Sequence, residues 1–245
     1  MTNTRKKNTS LCDILNIKYP IIMAPMFLVS NEDMLVEAIK AGITGCVPAL
    51  NYRTDEKFST ALTSIRNRIK GPIGVNLIVN KSNIKFKQQL KTCVDLKVDY
   101  IITSLGSPEK TIIACKPHGI KVFCDVVDVN YAKKVEELGC DAIIAVNKEA
   151  GGHCGPTPAS TLIPNLLAQC AIPIISAGGV SNGKQMKAHI PRRRPRHRSI
   201  GQRLDGGRLC QRYQRTASVA DEVRRRLLLQ RDAGHPSPVR LNQLA

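Results

Sequence analysis

Residues 141–156 read DAIIAVNKEAGGHCGP. The apolar stretch 142–146 has no polar alternation, which is the mark of a strand buried on both faces. Three glycines, a histidine and a proline follow within ten residues. A buried strand therefore runs straight into a turn rich in chemistry, and the fold depends on whether that plan is repeated.

It is. Similar runs recur as YPIIMAP (19–25), ITGCVPA (43–49), IGVNLIV (73–79), DYIITSL (99–105), KVFCDVV (121–127) and IPIISAG (172–178). Helical patterns lie between them. SNEDMLVEAIKAG (30–42) offers Ser30 as N-cap with Asp33 three residues on, an apolar stripe of Met34, Leu35, Ala38 and Ile39, and Gly42 for a left-handed end. DVNYAKKVEELGC (128–140) repeats the plan with Ala132, Val135, Leu138 and Gly139. FKQQLKTCVDLKV (86–98), SPEKTIIACKPHG (107–119) and STLIPNLLAQC (160–170) also read as helices, with Pro164 tolerated near a first turn.

Seven strand–helix units fit either a (β/α)8 barrel or a doubly wound open sheet. A dinucleotide-binding open sheet should show GxGxxG after an early strand, and none is present. The chemically rich turns instead follow several different strands, as at the C-terminal mouth of a barrel. The expected fold is an α/β TIM-type barrel.

Read in chain order, IKYPIIMAPM (17–26), GVN (74–76), EAGGHCG (149–155) and ISAGGVSNG (175–183) resemble the nitronate monooxygenase family, formerly called 2-nitropropane dioxygenases. Its close relatives include FMN-dependent enoyl-[acyl carrier protein] reductases. The resemblance covers about residues 10–188. It implies an FMN-binding barrel that cleaves alkyl nitronates to carbonyl compounds and nitrite with O2. A nitronate or nitroalkane and O2 are the implied partners. It makes His153 the catalytic acid/base, with Met23, Ala24, Pro25, Asn76, Gly151, Gly178 and Gly179 binding the cofactor and no metal. Enoyl reduction is the alternative activity.

The residues themselves leave blander readings open. The glycines at 178 and 179 suit backbone approach to a phosphate or a plain tight turn. Met23-Ala24-Pro25 is a flavin-facing turn or an ordinary strand exit. Asn76 in an apolar strand needs a partner, which is the cofactor or a neighbouring strand. His153 is a general acid/base or a surface residue. Cys154 has no adjacent base and is read as inert.

Apolar residues make up 42% of the 245-residue chain, enough for a sizeable core. The nine cysteines show no CxxC pair, so reduced and mostly buried thiols are expected. No signal-like or bilayer-length apolar segment is seen, so a cytoplasmic protein without a membrane partner is expected. The net charge of +18 is divided unevenly. Residues 1–188 hold 19 Lys and 4 Arg against 15 acids, whereas residues 189–245 hold 14 Arg and no Lys against 4 acids. Pro191 and Pro195 break the last helical pattern, and the alanine- and glycine-rich eighth strand of the family pattern is missing. The barrel is therefore expected to be incomplete, with half its phosphate cradle lost. Residues 189–245 are expected to be a poorly ordered basic tail. A shifted reading frame accounts best for the abrupt loss of lysine. A nucleic-acid-binding or membrane-surface tail and a solvated extension are the other readings. Nucleic acid is not favoured, because Tyr213 is the tail's sole aromatic residue and no nucleic-acid motif accompanies it. The alternatives of another class are an inactive truncated barrel, left by the missing eighth strand, and a basic nucleic-acid-binding protein.

Overall fold

The structure is a computed structural model that describes residues 10–180, Gln185 and 213–216. The chain enters through a short helix, α1 (Leu11–Leu15). Seven strands then alternate with helices: β1 (Ile22–Met23), α2 (Glu32–Lys40), β2 (Thr44–Pro48), α3 (Asp55–Arg68), β3 (Ile73–Ile78), α4 (Phe86–Asp95), β4 (Tyr100–Ser104), α5 (Glu109–Cys115), β5 (Lys121–Val126), α6 (Val129–Glu137), β6 (Ala142–Val146), α7 (Ala159–Gln169) and β7 (Ile174–Ala177). Each strand pairs in parallel with the next, in chain order. This is the barrel-type succession that the repeated runs imply.

The apolar eighth strand is missing, but its place is not empty. Backbone at β8 (Tyr213–Thr216) pairs in parallel with β7, from Ile174 opposite Tyr213 to Ala177 opposite Thr216. β8 also lies beside β1, so the order curls back on itself. A parallel sheet edge offers unpaired N–H and C=O groups whatever the side chains of the segment that meets it. The sequence reading looked for an apolar run, and backbone pairing does not require one. The other expectations for 189–245 lie outside the described residues.

Alternation along the strands divides the core in two. Met23, Val47, Val75, Leu77, Ile101, Cys124, Val126, Ile143, Ala145 and Ile174 face the helices. Ile22, Cys46, Tyr100, Ile102, Phe123, Ala142, Ile144 and Ile175 fill the lumen, where Leu11, Leu15 and Ile17 join them. Helix α1 thus plugs the N-terminal end. Its ends are fixed by a capping box between Ser10 and Asp13 and by Asn16 in the left-handed region.

At that same end, Asp99 Oδ2 accepts from the Ile73 N–H at 2.8 Å and from Arg66 at 2.5 Å. Asp141 accepts from the Val122 N–H in the same way, at 2.9 Å. An aspartate just before one strand thus satisfies an N–H at the start of its neighbour and pins the register.

The N-cap of α2 is Asn31, which accepts from the Met34 N–H, rather than Ser30. Ser30 is buried and serves the turn after β1 instead. The longest described helix, α3, has Thr54 as its cap and buries Phe58, Ala61, Leu62 and Ile65 on one face. Pro164 lies inside α7, which remains one helix.

The base of the lumen is set by one aromatic ring. Tyr100 is fully buried, lies against Phe123 with centroids 5.1 Å apart, and donates to Gly45 O at 2.7 Å. A Cβ on Gly74 would lie 2.2 Å from the Tyr100 ring. Gly74→Ala is therefore expected to cost about 1–3 kcal/mol by overpacking. Denaturant titration should also show that adding Tyr100→Leu to Gly74→Ala costs less than the sum of the two single changes.

Candidate functional site at the C-terminal mouth

One step beyond the buried lumen layer, alternation places Ala24, Pro48, Asn76, Ser104, Asp125, Val146 and Ala177 around the mouth. Its two sides differ. Ala24, Pro48, Val146 and Ala177 are small or apolar. Asn76, Ser104 and Asp125, on three adjacent strands, form a hydrogen-bonded row. Asn76 Nδ2 donates to Ile102 O at 3.2 Å and to Ser104 Oγ at 2.8 Å. Ser104 Oγ donates to Asp125 Oδ2 at 2.5 Å. The need of Asn76 for a partner is thus met by β4 through its nitrogen. Its oxygen remains as an acceptor for the mouth.

Asp125 is partly buried, and loss of hydration pushes its carboxyl up to about 6 against the pull of the Ser104 hydrogen bond. The carboxyl is thus raised above the 3.8 of an ordinary aspartate, and its ionisation opposes folding. The stabilisation of the protonated form is complete below about pH 4 and is lost as the pH rises through 6.

The turn after β1 is held from both sides. Ser30 Oγ donates to Ala24 O and accepts from the Met26 N–H, each at 2.9 Å. Asn51 accepts from the Leu28 N–H and donates to Ser30 O, each at 2.8 Å. Met23 is buried among the outward-facing core, so it meets the mouth through its backbone alone. Ala24 and Pro25 are half-buried at the rim.

The turn after β6 is organised by Asn147, which is fully buried. Its Oδ1 accepts from the Glu149 N–H at 2.8 Å, and its Nδ2 reaches Gly178 O at 3.4 Å. Glu149 in turn accepts from the Ala159 N–H at the start of α7, at 3.2 Å. Gly178, at φ +104°, packs on this turn, and a Cβ there would lie 2.3 Å from Ala150 N. Gly178 is thus fixed as glycine by close backbone approach, a demand independent of any phosphate. Gly179 continues the turn at φ +76°. Gly151, Gly152, His153 and Cys154 stand exposed beyond the fixed part, with open space around both glycines.

The structure therefore brings Ala24, Asn76 and the turns carrying His153 and Gly178–Gly179 to one end of the sheet. Sequence reasoning missed Asn147, Ser104 and Asp125. The signal for Ser104 and Asp125 was available as polar residues two positions past lumen-facing apolar ones. Apolar side chains rim the same end: Phe27, Leu28, Ile84, Leu105 and Val127 are exposed on the loops that leave β1, β3, β4 and β5. Among the described residues no group of three or more His, Cys, Asp or Glu could hold a metal ion. No described helix is long and apolar enough to cross a membrane. None of the described cysteines is disulfide-bonded, and most are buried.

A parallel barrel whose polar row, glycine turns and histidine gather at the C-terminal mouth has the layout in which barrel enzymes carry their sites. Comparison with known proteins narrows that class. Residues 81–192 match the sequence pattern of the nitronate monooxygenase family. A probable nitronate monooxygenase of Staphylococcus saprophyticus is 27% identical over 230 residues, covering 76% of this chain and 64% of the relative. A (3aS,4S,5R,7aS)-5-hydroxy-7a-methyl-1-oxo-octahydro-1H-indene-4-carboxyl-CoA dehydrogenase of Rhodococcus jostii is 26% identical over 182 residues, covering 74% of this chain and 51% of the relative. Among solved structures, FabK from Thermotoga maritima superposes with a TM-score of 0.68 at 30% identity, covering 72% of this chain and 56% of FabK. The chain thus spans between half and two thirds of the length of these relatives.

Asp125→Asn keeps an acceptor for Ser104 and removes the charge. It is expected to raise the unfolding free energy at pH 8 by about 2–3 kcal/mol, a gain that vanishes near pH 4. Denaturant midpoints measured across that range check it.

Proposed function

We propose that this chain is the barrel of an FMN-dependent oxidoreductase that cleaves alkyl nitronates to a carbonyl compound and nitrite, using O2. The observation that carries the reading is the two-sided mouth. It has small and apolar side chains on one flank and a hydrogen-bonded polar row on the other, with a glycine-flanked histidine on the turn that follows β6. These residues fit a flavin. Ala24, Pro48 and Ala177 leave room for a flat ring, and Asn76 offers an oxygen acceptor at its edge. Backbone groups of Met23–Pro25 and Gly151 would border the ring. The turn at Gly178–Gly179 would face the phosphate end.

When bound, FMN supplies the electron-accepting chemistry. The remaining work falls to the protein. His153, exposed at the end of a glycine turn, can swing over the mouth and take the α-proton of a neutral nitroalkane on an imidazole nitrogen. The same ring, once protonated, donates a hydrogen bond to the nitro oxygens of the resulting nitronate. The apolar rim of Phe27, Leu28 and Leu105 favours the alkyl part of a substrate and discourages water at the mouth. Asn147 anchors the histidine turn through backbone contacts, so the swing starts from a fixed base.

The test is nitrite release and O2 uptake by the FMN-loaded chain. His153→Ala is expected to lower turnover of neutral nitroalkanes by about 10²–10⁴-fold, while turnover of preformed nitronates falls far less. Equal losses on both substrates would remove His153 as the base. Enoyl reduction is separated by anaerobic mixing with NADH, in which rapid flavin bleaching would favour the reductase.

A further inference from the structure

The polar row has a direction, and what sets it lies beyond the function proposed above. Both Asn76 Nδ2 hydrogens are engaged on β4, one by Ile102 O and one by Ser104 Oγ. Ser104 can accept from Asn76 in this way because its own proton is committed to Asp125 Oδ2. The Asn76 oxygen is then the amide atom left for the mouth. If Ser104 donated towards Asn76 instead, the amide would turn over and present its nitrogen.

We propose that Asp125 is a positioning residue. Acting through Ser104, it fixes the Asn76 amide with its oxygen towards the mouth, so that this point accepts a hydrogen bond from a ligand N–H or O–H. The ring N–H of a flavin is such a donor, and here the inference rests on the functional reading above. An ionised Asp125 accepts and holds the row in one direction. A protonated Asp125 can donate to Ser104, which frees the Ser104 hydroxyl to point at Asn76 and lets the amide reverse. The acceptor at the mouth then becomes a donor, and a ligand N–H loses its partner.

Among the described residues, few other charges act on this carboxyl. Cys46 of β2 and Tyr131 of α6 lie near enough to feel it. Burial raises both groups, so both stay neutral where Asp125 titrates. The raised Asp125 value places the switch near pH 6. Among the described residues, Glu149, His153 and Cys154 are the other titratable groups at the mouth, all on the turn after β6; of these His153 is removed in a control.

The experiment follows the Asn76 side-chain NH2 signals of ¹⁵N-labelled full chain without cofactor, from pH 5 to 8, with His153→Ala run in parallel. The expected result is a single inflection near pH 6. It should be kept in His153→Ala and Ser104→Thr, and lost in Asp125→Asn and Ser104→Ala. A merely structural Asp125 would leave the Asn76 signals unmoved by pH. Invariant signals in the wild type, or an inflection that survives Asp125→Asn, would overturn the proposal. FMN titration over the same range reads the consequence. Affinity should weaken by about fivefold from pH 8 to 5 in the wild type, the size of one hydrogen bond, and stay flat in Asp125→Asn. FMN affinity that is flat with pH in the wild type would overturn the ligand half of the proposal. An Asn76 inflection with no FMN binding at any pH supports the relay and overturns the flavin reading instead.

Discussion

The two-residue alternation of side chains along a parallel ladder governs everything else in this molecule. From β3 to β5 the register sets Ile102 beside Asn76 and Phe123 beside Ile102. Ile102 and Phe123 are lumen residues, so the positions one step on, Ser104 and Asp125, face inward as well. A slip of one residue in β5 would turn Asp125 into the layer between sheet and helices, where a carboxylate has no partner. The polar row therefore exists because the apolar residues below it fix the register. The aspartates at the N-terminal end support the same register from the opposite side.

A second constraint is close approach, and it shapes both ends of the lumen. Gly74 makes room for the Tyr100 ring at the base, and Gly178 makes room for the Glu149–Ala150 backbone at the mouth. The two glycines occur in motifs that resemble those of a cofactor site, yet each answers to packing within the chain. Asn147 locks the upper contact, binding the turn after β6 to the end of β7. The histidine turn is thus anchored at its root and open at its tip, which suits a group that must meet a substrate and then release it.

Much of the fold was legible because seven apolar runs and most of the helical stripes carry strong local patterns. Helix α3 was harder to see, since Phe58, Ala61, Leu62 and Ile65 are spread among polar residues. Helix α1 is five residues long, and it matters through Leu11 and Leu15 in the lumen rather than through periodicity. Ser30 carried a helix-capping signal, but Asn31 beside it had the same chemistry and the better position. β8 follows no apolar pattern, because a sheet edge recruits backbone. In the site, His153 and the glycine turns stood out by composition. Ser104 and Asp125 did not, because their meaning arises only when three strands align.

The proposal that this mouth holds a flavin has one direct test. The direct measurement is a visible difference spectrum of the full chain titrated into FMN at pH 8. The expected result is a saturable change in the flavin bands, reaching one flavin per chain, with His153→Ala saturating in the same way. A spectrum that stays that of free FMN at every protein concentration would contradict it.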